Sequence, residues 1–438
     1  MQPTQLFVIA LGILLFALFS RRAEAGSVTA PMTFTAFGFL IGAGGLGLVD
    51  LSVQAAAVQD LAEVTLVLAL FTDAARIDLT RLNREHDIPM RLLGLGLPLS
   101  IVAGGAVAFL LFPSLTFWGA VTLGVILAPT DAALGQAVVS NEKVPPRIRQ
   151  ALNVESGLND GLAFPALLVA ASLATAEAGR GAVGWAGFAA LQLTLGPLVG
   201  LLVGFVGAFA VELAERKGSM NAVFLRISTL ALALLAYAGA ELVSGNGFIA
   251  AFVAGLVVGT RSRRLLDGVE DFGETEGQLL TLLVFLIFGA VLLPDALDGL
   301  TWRHAVYAAL SLTVIRMVPV AVSLVGCRLR YATVGFIGWF GPRGLASIIY
   351  LLLLLEEGYE IEGIHDIRLT VLATVVASIV LHGLTASPFA HRYGDLMRRL
   401  GPEAEHRSVF PFPTRLRTAR EKAAKVPERN LKQGTGSA

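Results

Sequence analysis

Charge is scarce in this sequence. Asp, Glu, Lys and Arg make up 15% of the 438 residues, whereas a soluble protein carries about 25%. Hydrophobic residues make up 55%, and the mean hydropathy is +0.72. Apolar blocks of about 20 residues, the length that crosses a bilayer, recur along most of the chain. This composition excludes an ordinary water-soluble domain and predicts an all-α polytopic membrane protein.

Cysteine is nearly absent and histidine does not cluster. Cys327 is the only cysteine, so no disulfide can form within the chain. The six histidines lack metal-ligand spacing, and the sequence contains no Walker loop, GxSxG elbow or HExxH. These absences argue against an ATP-driven pump and an intramembrane protease. We therefore expect a transporter rather than an enzyme, with no cofactor and no nucleic-acid partner.

The apolar segments number about thirteen. Their centres lie near residues 12, 39, 68, 102, 126, 162, 198, 232, 252, 288, 315, 343 and 376. The first has no basic residue before its apolar core, so we expect a retained helix rather than a signal peptide. With the N-terminus outside, the outer connections hold only Arg180, Arg303 and Arg368 among the connecting Lys and Arg residues, as the positive-inside rule requires.

This placement of charge predicts two regions. Residues 1–390 are expected to form a membrane domain of the cell (inner) membrane, and residues 391–438 a basic cytoplasmic tail. We interpret the tail as a solvated extension that can contact anionic lipid; a dedicated regulatory site is the alternative. Within the membrane domain the seventh segment links two six-helix sets, about residues 5–175 and 221–388. After six helices and one linking helix, the chain enters the membrane from the opposite side. The second set of six is therefore expected to be an inverted repeat of the first.

The sixth segment contains the stretch NVESGLNDGLAFP with two acids, Glu155 and Asp160. A carboxylate at mid-bilayer costs roughly 2.5–3.5 kcal/mol on insertion scales, so such residues usually line an ion or substrate path. Ser156 stacks with Asp160 and Glu155 with Asn159 at i, i+4, whereas the two acids point about 140° apart. We predict that Asp160 holds the exchangeable charge and that Glu155 is neutralised structurally. The alternative is that both acids only hold helices together through hydrogen bonds.

The fifth and twelfth segments are expected to break. Pro129 removes a backbone donor beside Thr130 and Asp131, and unwound backbone in lipid survives only where protein or a water cavity receives it. Freed carbonyls and a carboxylate there suit a monovalent cation, although a simple proline kink with a Thr–Asp cap is the alternative. The twelfth segment is interrupted by the run Gly341, Pro342, Arg343 and Gly344.

Arg343 needs a carboxylate in this position, and Glu155 is the best candidate; a snorkelling arginine is the alternative. Arg316, in the eleventh segment, either fixes helix contacts or lowers the affinity for protons nearby. Asp73, in the third, either lines an ion funnel or pairs with Arg76 at the interface. Interrupted helices at corresponding positions of two repeats indicate a secondary transporter with its site near the membrane midplane.

The motifs ESGLNDG, APTD and GPRG, with FTD, NGFIAAFVAGL and FLIFGA, resemble the cation:proton antiporter-1 family, the NhaP-type sodium/proton exchangers. The resemblance runs over about residues 5–390. It implies thirteen helices with two crossed, broken helices, a homodimer, and exchange of Na⁺ (or Li⁺, sometimes K⁺) for H⁺. An Asn–Asp pair such as Asn159–Asp160 implies electroneutral exchange.

The resemblance also implies residue roles. Asp160 would bind cation and proton alternately, with Thr130, Asp131, Ser156 and Asp73 around the ion. The resemblance pairs Glu155 with Arg343 and has Asn159 brace the crossing. Pro129, Pro342 and Arg316, named above from the sequence itself, complete the expected structural core. Two departures, Ala132 where many members have Pro and Asp73 where Glu is common, affect ion selectivity. A cation channel and an electrogenic organic-anion symporter are the rival interpretations.

Overall fold

The computed structural model describes residues 3–25, 28–49, 56–77, 87–177, 182–261, 265, 269, 273–296, 299–356, 359–401 and 405. Within these ranges the chain forms fifteen helices and no strand. They are α1 (Pro3–Ala25), α2 (Ala30–Ile41), α3 (Ala56–Ala75), α4 (Asp87–Leu111), α5 (Phe117–Ile126), α6 (Ala132–Val139), α7 (Pro146–Glu177), α8 (Ala182–Arg216), α9 (Ala222–Glu241), α10 (Gly247–Arg261), α11 (Gly273–Gly277 continuing through Gln278–Ile287, Phe288–Leu292 and Leu293–Ala296), α12 (Trp302–Leu312 and Val314–Ser323), α13 (Tyr331–Trp339), α14 (Leu345–Glu356) and α15 (Ile364–Leu400).

Fifteen helices make thirteen spans because two spans are broken. Helices α5 and α6 together form the fifth span, and α13 and α14 together form the twelfth. The long α8 connects two sets of six spans, as the sequence predicted. The predicted all-α fold with about thirteen membrane helices, inverted repeats and two crossed broken helices is confirmed.

Polar side chains cap several helix starts, where the first backbone N–H groups have no partner inside the helix. The Thr29 side chain accepts a hydrogen bond from Met32 N in α2, and the Thr116 side chain accepts one from Gly119 N in α5. Asn221 accepts from two amides at the start of α9. Such caps fix where a helix begins, since an unpaired amide in lipid is costly.

Burial separates the central helix from the peripheral ones. In α7 the most apolar window is 67% buried, whereas the corresponding window of α1 is 0% buried and that of α8 is 28% buried. Leucine side chains of α1 and α8 are exposed where lipid would cover them. The segment with the two acids is therefore enclosed by protein on most sides.

Glycines bring α10 close to α3. A Cβ added to Gly255 would lie 2.2 Å from the backbone oxygen of Phe71, and one added to Gly259 would lie 1.9 Å from that of Ala75. No larger residue fits at this distance, so the small residues of this segment serve close helix packing. This contact holds the C-terminal half of α3 against α10.

The last helix extends further than expected. Helix α15 continues to Leu400, past the predicted start of the tail at residue 391. Glu405 is also described, and its carboxylate Oε1 accepts hydrogen bonds from Arg330 N at 3.0 Å and Thr333 Oγ1 at 2.9 Å. Arg330 precedes α13, so this residue of the predicted tail caps the start of a broken helix. The predicted tail from residue 406 onward lies outside the described residues.

Candidate functional site

The two breaks lie against one another. Between α5 and α6, Asp131 N donates to the carbonyl oxygen of Pro342 at 2.8 Å. One turn into α14, Ser347 Oγ donates to the carbonyl oxygen of Ile126 at 2.8 Å. Both predicted breaks are therefore present, and each unwound stretch supplies hydrogen-bond partners for the other. This contact satisfies backbone groups that lipid could not.

One carboxylate caps both of the half-helices that begin at the crossing. Asp131 Oδ1 accepts from Ala133 N at 2.6 Å in α6, and Oδ2 accepts from Leu345 N at 2.7 Å in α14. The N-terminal end of a helix carries a partial positive charge, which stabilises an anion placed there. Asp131 thus holds the two breaks together. Its role as an ion ligand stays a prediction.

The two half-helices that end at the crossing have cationic or N–H partners. Arg343 Nη1 donates to the carbonyl oxygens of Ala128 and Pro129 at 2.7 and 3.0 Å, just after α5. Trp339 O, at the end of α13, lies 2.8 Å from His382 Nε2, which donates to it. These groups complement the partial negative charge at each C-terminal end. Each half-helix end at the crossing therefore contacts a group that complements its partial charge: a carboxylate at the two N-terminal ends, and an N–H donor at the two C-terminal ends.

Glu155 pairs with Arg316, not with Arg343. Arg316 Nη1 and Nη2 contact Glu155 Oε1 and Oε2 at 2.6 and 2.8 Å, with both side chains 3% exposed or less. The prediction that an arginine neutralises Glu155 is confirmed, but the predicted partner was wrong. The physical reason is that Arg343 donates to the carbonyl groups freed by the break at Pro129. The bidentate contact with Glu155 is therefore made by Arg316 of α12.

The motif GPRG is explained by close approaches at both glycines. A Cβ on Gly344 would lie 2.1 Å from Asp131 Oδ2, and a Cβ on Gly341 would lie 2.3 Å from Arg316 Nε. A side chain at either position would displace a buried charged group. The two glycines are therefore needed for the charge arrangement as well as for the break itself.

A row of hydroxyl and amide groups joins α7 to the first break. Thr130 Oγ1 lies 3.0 Å from Ser156 Oγ and accepts from Asn159 Nδ2 at 2.6 Å. All three residues are buried. The predicted role of Asn159 in bracing the crossing agrees with this contact. The hydroxyl oxygens of Thr130 and Ser156 are hard donors of the type that suits alkali cations.

Asp160 lies one turn along α7 from Ser156 and is 6% exposed. Its backbone carbonyl oxygen accepts a hydrogen bond from the Tyr350 hydroxyl of α14. Asp160 therefore faces the protein interior beside both breaks, and not the lipid. A buried position for Asp160 agrees with the sequence analysis, which placed this acid at an ion site inside the membrane domain.

Asp73 reaches the same helix from α3. A Cβ on Gly157 would lie 3.8 Å from the Cβ of Asp73, so α3 packs directly against α7 beside Ser156. The Asp73 carboxylate lies 3.6 Å from Arg76 Nη1, with both side chains nearly buried. Both sequence interpretations of Asp73 are compatible with this geometry, and its role at the ion stays a prediction.

The fixed charges of the crossing cancel. Arg316 and Arg343 contribute two positive charges, and Glu155 and Asp131 contribute two negative ones. Asp160 is a further buried carboxylate, one turn after Ser156 on α7. Burial disfavours the charged form of a carboxylate, so a group in this position favours the binding of a proton or a cation.

Four residues of the crossing escaped the sequence analysis. Ser378 Oγ accepts from Arg343 N at 2.7 Å and lies 3.1 Å from His382 Nδ1, so α15 holds the second break through two side chains. Ser347 and Tyr350 of α14 reach α5 and α7. A histidine in the apolar run SIVLHGL was the one available signal, since a polar side chain there must find a buried partner.

The chain is similar to known transport proteins over most of its length. Residues 7–392 match the family model described as sodium/hydrogen exchanger, transmembrane. The chain belongs to this family. It is 27% identical over 310 residues to a Na⁺/H⁺ antiporter of Schizosaccharomyces pombe and 25% identical over 397 residues to the K⁺/H⁺ antiporter NhaP of Alkalimonas amylolytica. These matches cover 64% and 89% of this chain.

The chain spans about two thirds of the length of these two relatives, 65% and 67%, and 40% of a third, a probable Na⁺/H⁺ antiporter of Schizosaccharomyces pombe. Among solved structures, the sodium proton antiporter MjNhaP1 from Methanocaldococcus jannaschii at pH 8 superposes with a TM-score of 0.70 at 19% identity. The superposition covers 89% of this chain and 99% of that one. It establishes that the two chains share a fold.

Proposed function

We propose that this protein exchanges a monovalent cation for protons across the membrane. The observation that supports this most directly is Asp160, a buried carboxylate on α7 whose backbone contacts α14 and whose neighbour Ser156 contacts Thr130 at the first break. Membership of the sodium/hydrogen exchanger family and the names of its relatives point the same way. An enzymatic role has no comparable support.

Asp160 is the group that we expect proton and cation to share. Burial disfavours its charged form, which a bound proton or a bound cation would compensate. Either loaded form can cross the barrier at small electrostatic cost, whereas the bare carboxylate cannot. One ion must therefore replace the other on each side, which is coupled exchange.

Ser156 lies one turn before Asp160 on α7, its hydroxyl oxygen lies 3.0 Å from Thr130 Oγ1, and Asp73 packs against the same helix from α3. We propose that Thr130 and Ser156 bind the dehydrated cation together with Asp160. Asp131 would contribute mainly by holding the breaks in place, because it caps α6 and α14. The relatives are named for Na⁺ and for K⁺, so we include both ions, and Li⁺, in the proposal.

We further propose electroneutral exchange by alternating access within a homodimer, in the service of pH homeostasis. One carboxylate that carries one proton or one monovalent cation moves no net charge per cycle. The N-terminus would lie outside the cell membrane and the tail in the cytoplasm, because the arginine-rich connections then face inward.

The test is transport by the purified protein in proteoliposomes with an imposed pH gradient. Addition of Na⁺, Li⁺ or K⁺ in turn should dissipate the gradient for at least one ion, and choline should not. Clamping the membrane potential at zero should leave the rate unchanged. If none of the three ions releases protons, the proposal fails.

The rival function, a cation channel, gives a different result in the same vesicles. A channel passes net current down a cation gradient without any proton gradient. A potential-dependent cation flux with no coupled pH change would therefore favour the channel over the exchanger.

A further inference from the structure

An aromatic groove runs between the second broken helix and the last helix. It has a volume of about 400 Å³, and α12, α13 and α15 form its walls. Pockets of this size accept a small organic molecule or one chain of a lipid. The residues that matter below are Phe336, Trp339, Phe389, Arg392 and Tyr393, and all five line the groove.

The aromatic walls pack against one another, and their polar atoms form hydrogen bonds within the protein. Phe336 and Tyr393 stack with ring centroids 4.0 Å apart and planes 15° from parallel. Trp339 Nε1 donates to Thr385 Oγ1 at 3.0 Å, and the Tyr393 hydroxyl lies 3.0 Å from Thr333 Oγ1. The groove therefore presents ring faces and edges rather than unmet donors, which favours an apolar occupant.

One cation stands in this apolar lining. Arg392 is exposed, and no carboxylate of the described residues forms an ion pair with it. The nearby acid of the same helix, Asp395, contacts Lys143 at 3.6 Å and also Arg398. A guanidinium group without a carboxylate binds phosphate in the geometry that suits it best.

The groove opens toward lipid near one end of the membrane. The adjoining face of α12 exposes Val314, Val318 and Val322 at 53%, 54% and 47%. Arg392 lies about 12 Å before the end of α15, at the helical rise of about 1.5 Å per residue. The groove therefore has an apolar interior and one basic residue, Arg392, at its mouth. Basic pockets between membrane helices of this form bind anionic lipid head groups.

We propose that this groove binds an anionic phospholipid, with its phosphate at Arg392 and one acyl chain along Phe336, Trp339 and Phe389. The amphiphile matches both the charge at the mouth and the apolar interior, and the surrounding bilayer supplies it directly. The site does not involve Asp160 and does not depend on which ion is carried. Because α13 and α15 also meet at the second break through His382, a bound lipid stabilises the pair of helices that hold it.

The experiment uses Trp339 as the reporter. The full chain is reconstituted in phosphatidylcholine with increasing dibrominated phosphatidylglycerol, or with dibrominated phosphatidylcholine at the same mole fraction. Bromine quenches indole fluorescence on contact, and the difference between wild type and Trp339→Phe isolates the signal of this residue. Phosphatidylglycerol should half-quench Trp339 at a mole fraction at least threefold lower than phosphatidylcholine.

The matched variants separate a built site from general surface charge. Arg392→Gln should abolish the preference for phosphatidylglycerol, and Arg399→Gln, an exposed arginine that does not line the groove, should retain it. Equal quenching by the two lipids, or equal loss in both variants, would overturn the proposal. Quenching that appears only after removal of residues 406–438 would also overturn it, because the tail would then be the occupant of the groove in the full chain. Protection of Trp339 from both lipids in a dimer would assign it to a second copy.

Discussion

At the scale of single residues, the decisive arrangement is the distribution of five buried charges. Asp131 and Arg343 are engaged by backbone groups of the breaks, and Glu155 and Arg316 form a bidentate pair. Asp160 is the fifth, and it takes no part in these contacts between the other four. Our proposal assigns the exchanged ions to Asp160, and the other four residues hold the broken helices in place around it.

The Glu155–Arg316 pair gives a prediction about stability. Arg316→Leu should destabilise the folded protein by about 3–5 kcal/mol, because it leaves Glu155 buried without its counter-charge. The Glu155→Leu/Arg316→Leu double variant should recover part of that loss. Thermal unfolding in detergent measures both, and the pairwise coupling follows from a double-mutant cycle.

The control cycle uses Glu155 with Arg343. Its coupling should be smaller, because Arg343 contacts the carbonyl oxygens of Ala128 and Pro129 instead. A larger coupling for Glu155–Arg343 than for Glu155–Arg316 would restore the pairing that the sequence suggested.

At the scale of helices, the breaks are the functional elements. Each half-helix end meets a charged or polar group, and these groups are Asp131 and Arg343 of the two unwound stretches and His382 of α15. The sequence predicted both breaks because proline and glycine interrupt otherwise apolar spans. It did not predict which side chains satisfy the ends, since this depends on how helices far apart in the chain are rotated toward each other.

Gly344 tests the fit of the second break. Gly344→Ala should lower stability by about 1–3 kcal/mol and impair transport, because the new Cβ would lie 2.1 Å from Asp131 Oδ2 and must displace that cap. Thermal unfolding and proton release in vesicles report the two effects.

The matched control is Gly135→Ala in α6, where a Cβ would meet nothing within 4 Å. It should be neutral, or stabilising by about 0.5–1 kcal/mol, since alanine favours a helix interior. Equal behaviour of the two variants would contradict the proposed need for close approach at Gly344.

His382 tests the α15 support of the same break. His382→Leu should cost about 1–3 kcal/mol, because the carbonyl oxygen of Trp339 would lose its buried donor. His391→Leu, at an exposed position on the same helix, should change unfolding by less than about 0.5 kcal/mol. If both variants unfold at the wild-type temperature, His382 does not hold the break.

At the scale of the whole molecule, the C-terminal segment is joined to the membrane domain. Burial raises the pKa of Glu405, but hydrogen bonds from Arg330 N and Thr333 outweigh it, and the pKa lies below its usual range. A lowered pKa means that the contact is fully present above the unfolded value of about 4.3 and is lost as pH falls below it through the folded value. Docking should therefore be constant between pH 6 and 8.

Hydrogen exchange at the start of α13 measures this docking. Glu405→Gln should speed exchange in peptides that contain Arg330 and Thr333, because it removes the charge that accepts both hydrogen bonds. Glu212→Gln, on α8, is the control and should leave these peptides unchanged. Unaltered exchange in Glu405→Gln would show that the contact does not hold α13.

The fold was predictable from the sequence to a large extent, and the site less so. Apolar blocks and arginine placement predicted thirteen spans, and Pro129 and the Gly341–Gly344 run predicted the two breaks. The stripe of Ser156 and Asp160 followed from helical periodicity alone. The partner of Glu155 could not be predicted in this way, because both Arg316 and Arg343 lie within predicted spans. Only the packed structure shows that Arg343 contacts backbone carbonyl oxygens instead.

The central claim is that Asp160 is the shared binding group for proton and cation. The measurement is cation-driven dissipation of a pH gradient in proteoliposomes by Asp160→Asn, beside Asp395→Asn as a surface control. The account predicts that Asp160→Asn falls to the protein-free rate, that Asp395→Asn exchanges like wild type, and that both unfold no more easily than wild type. Full exchange by well-folded Asp160→Asn would contradict it.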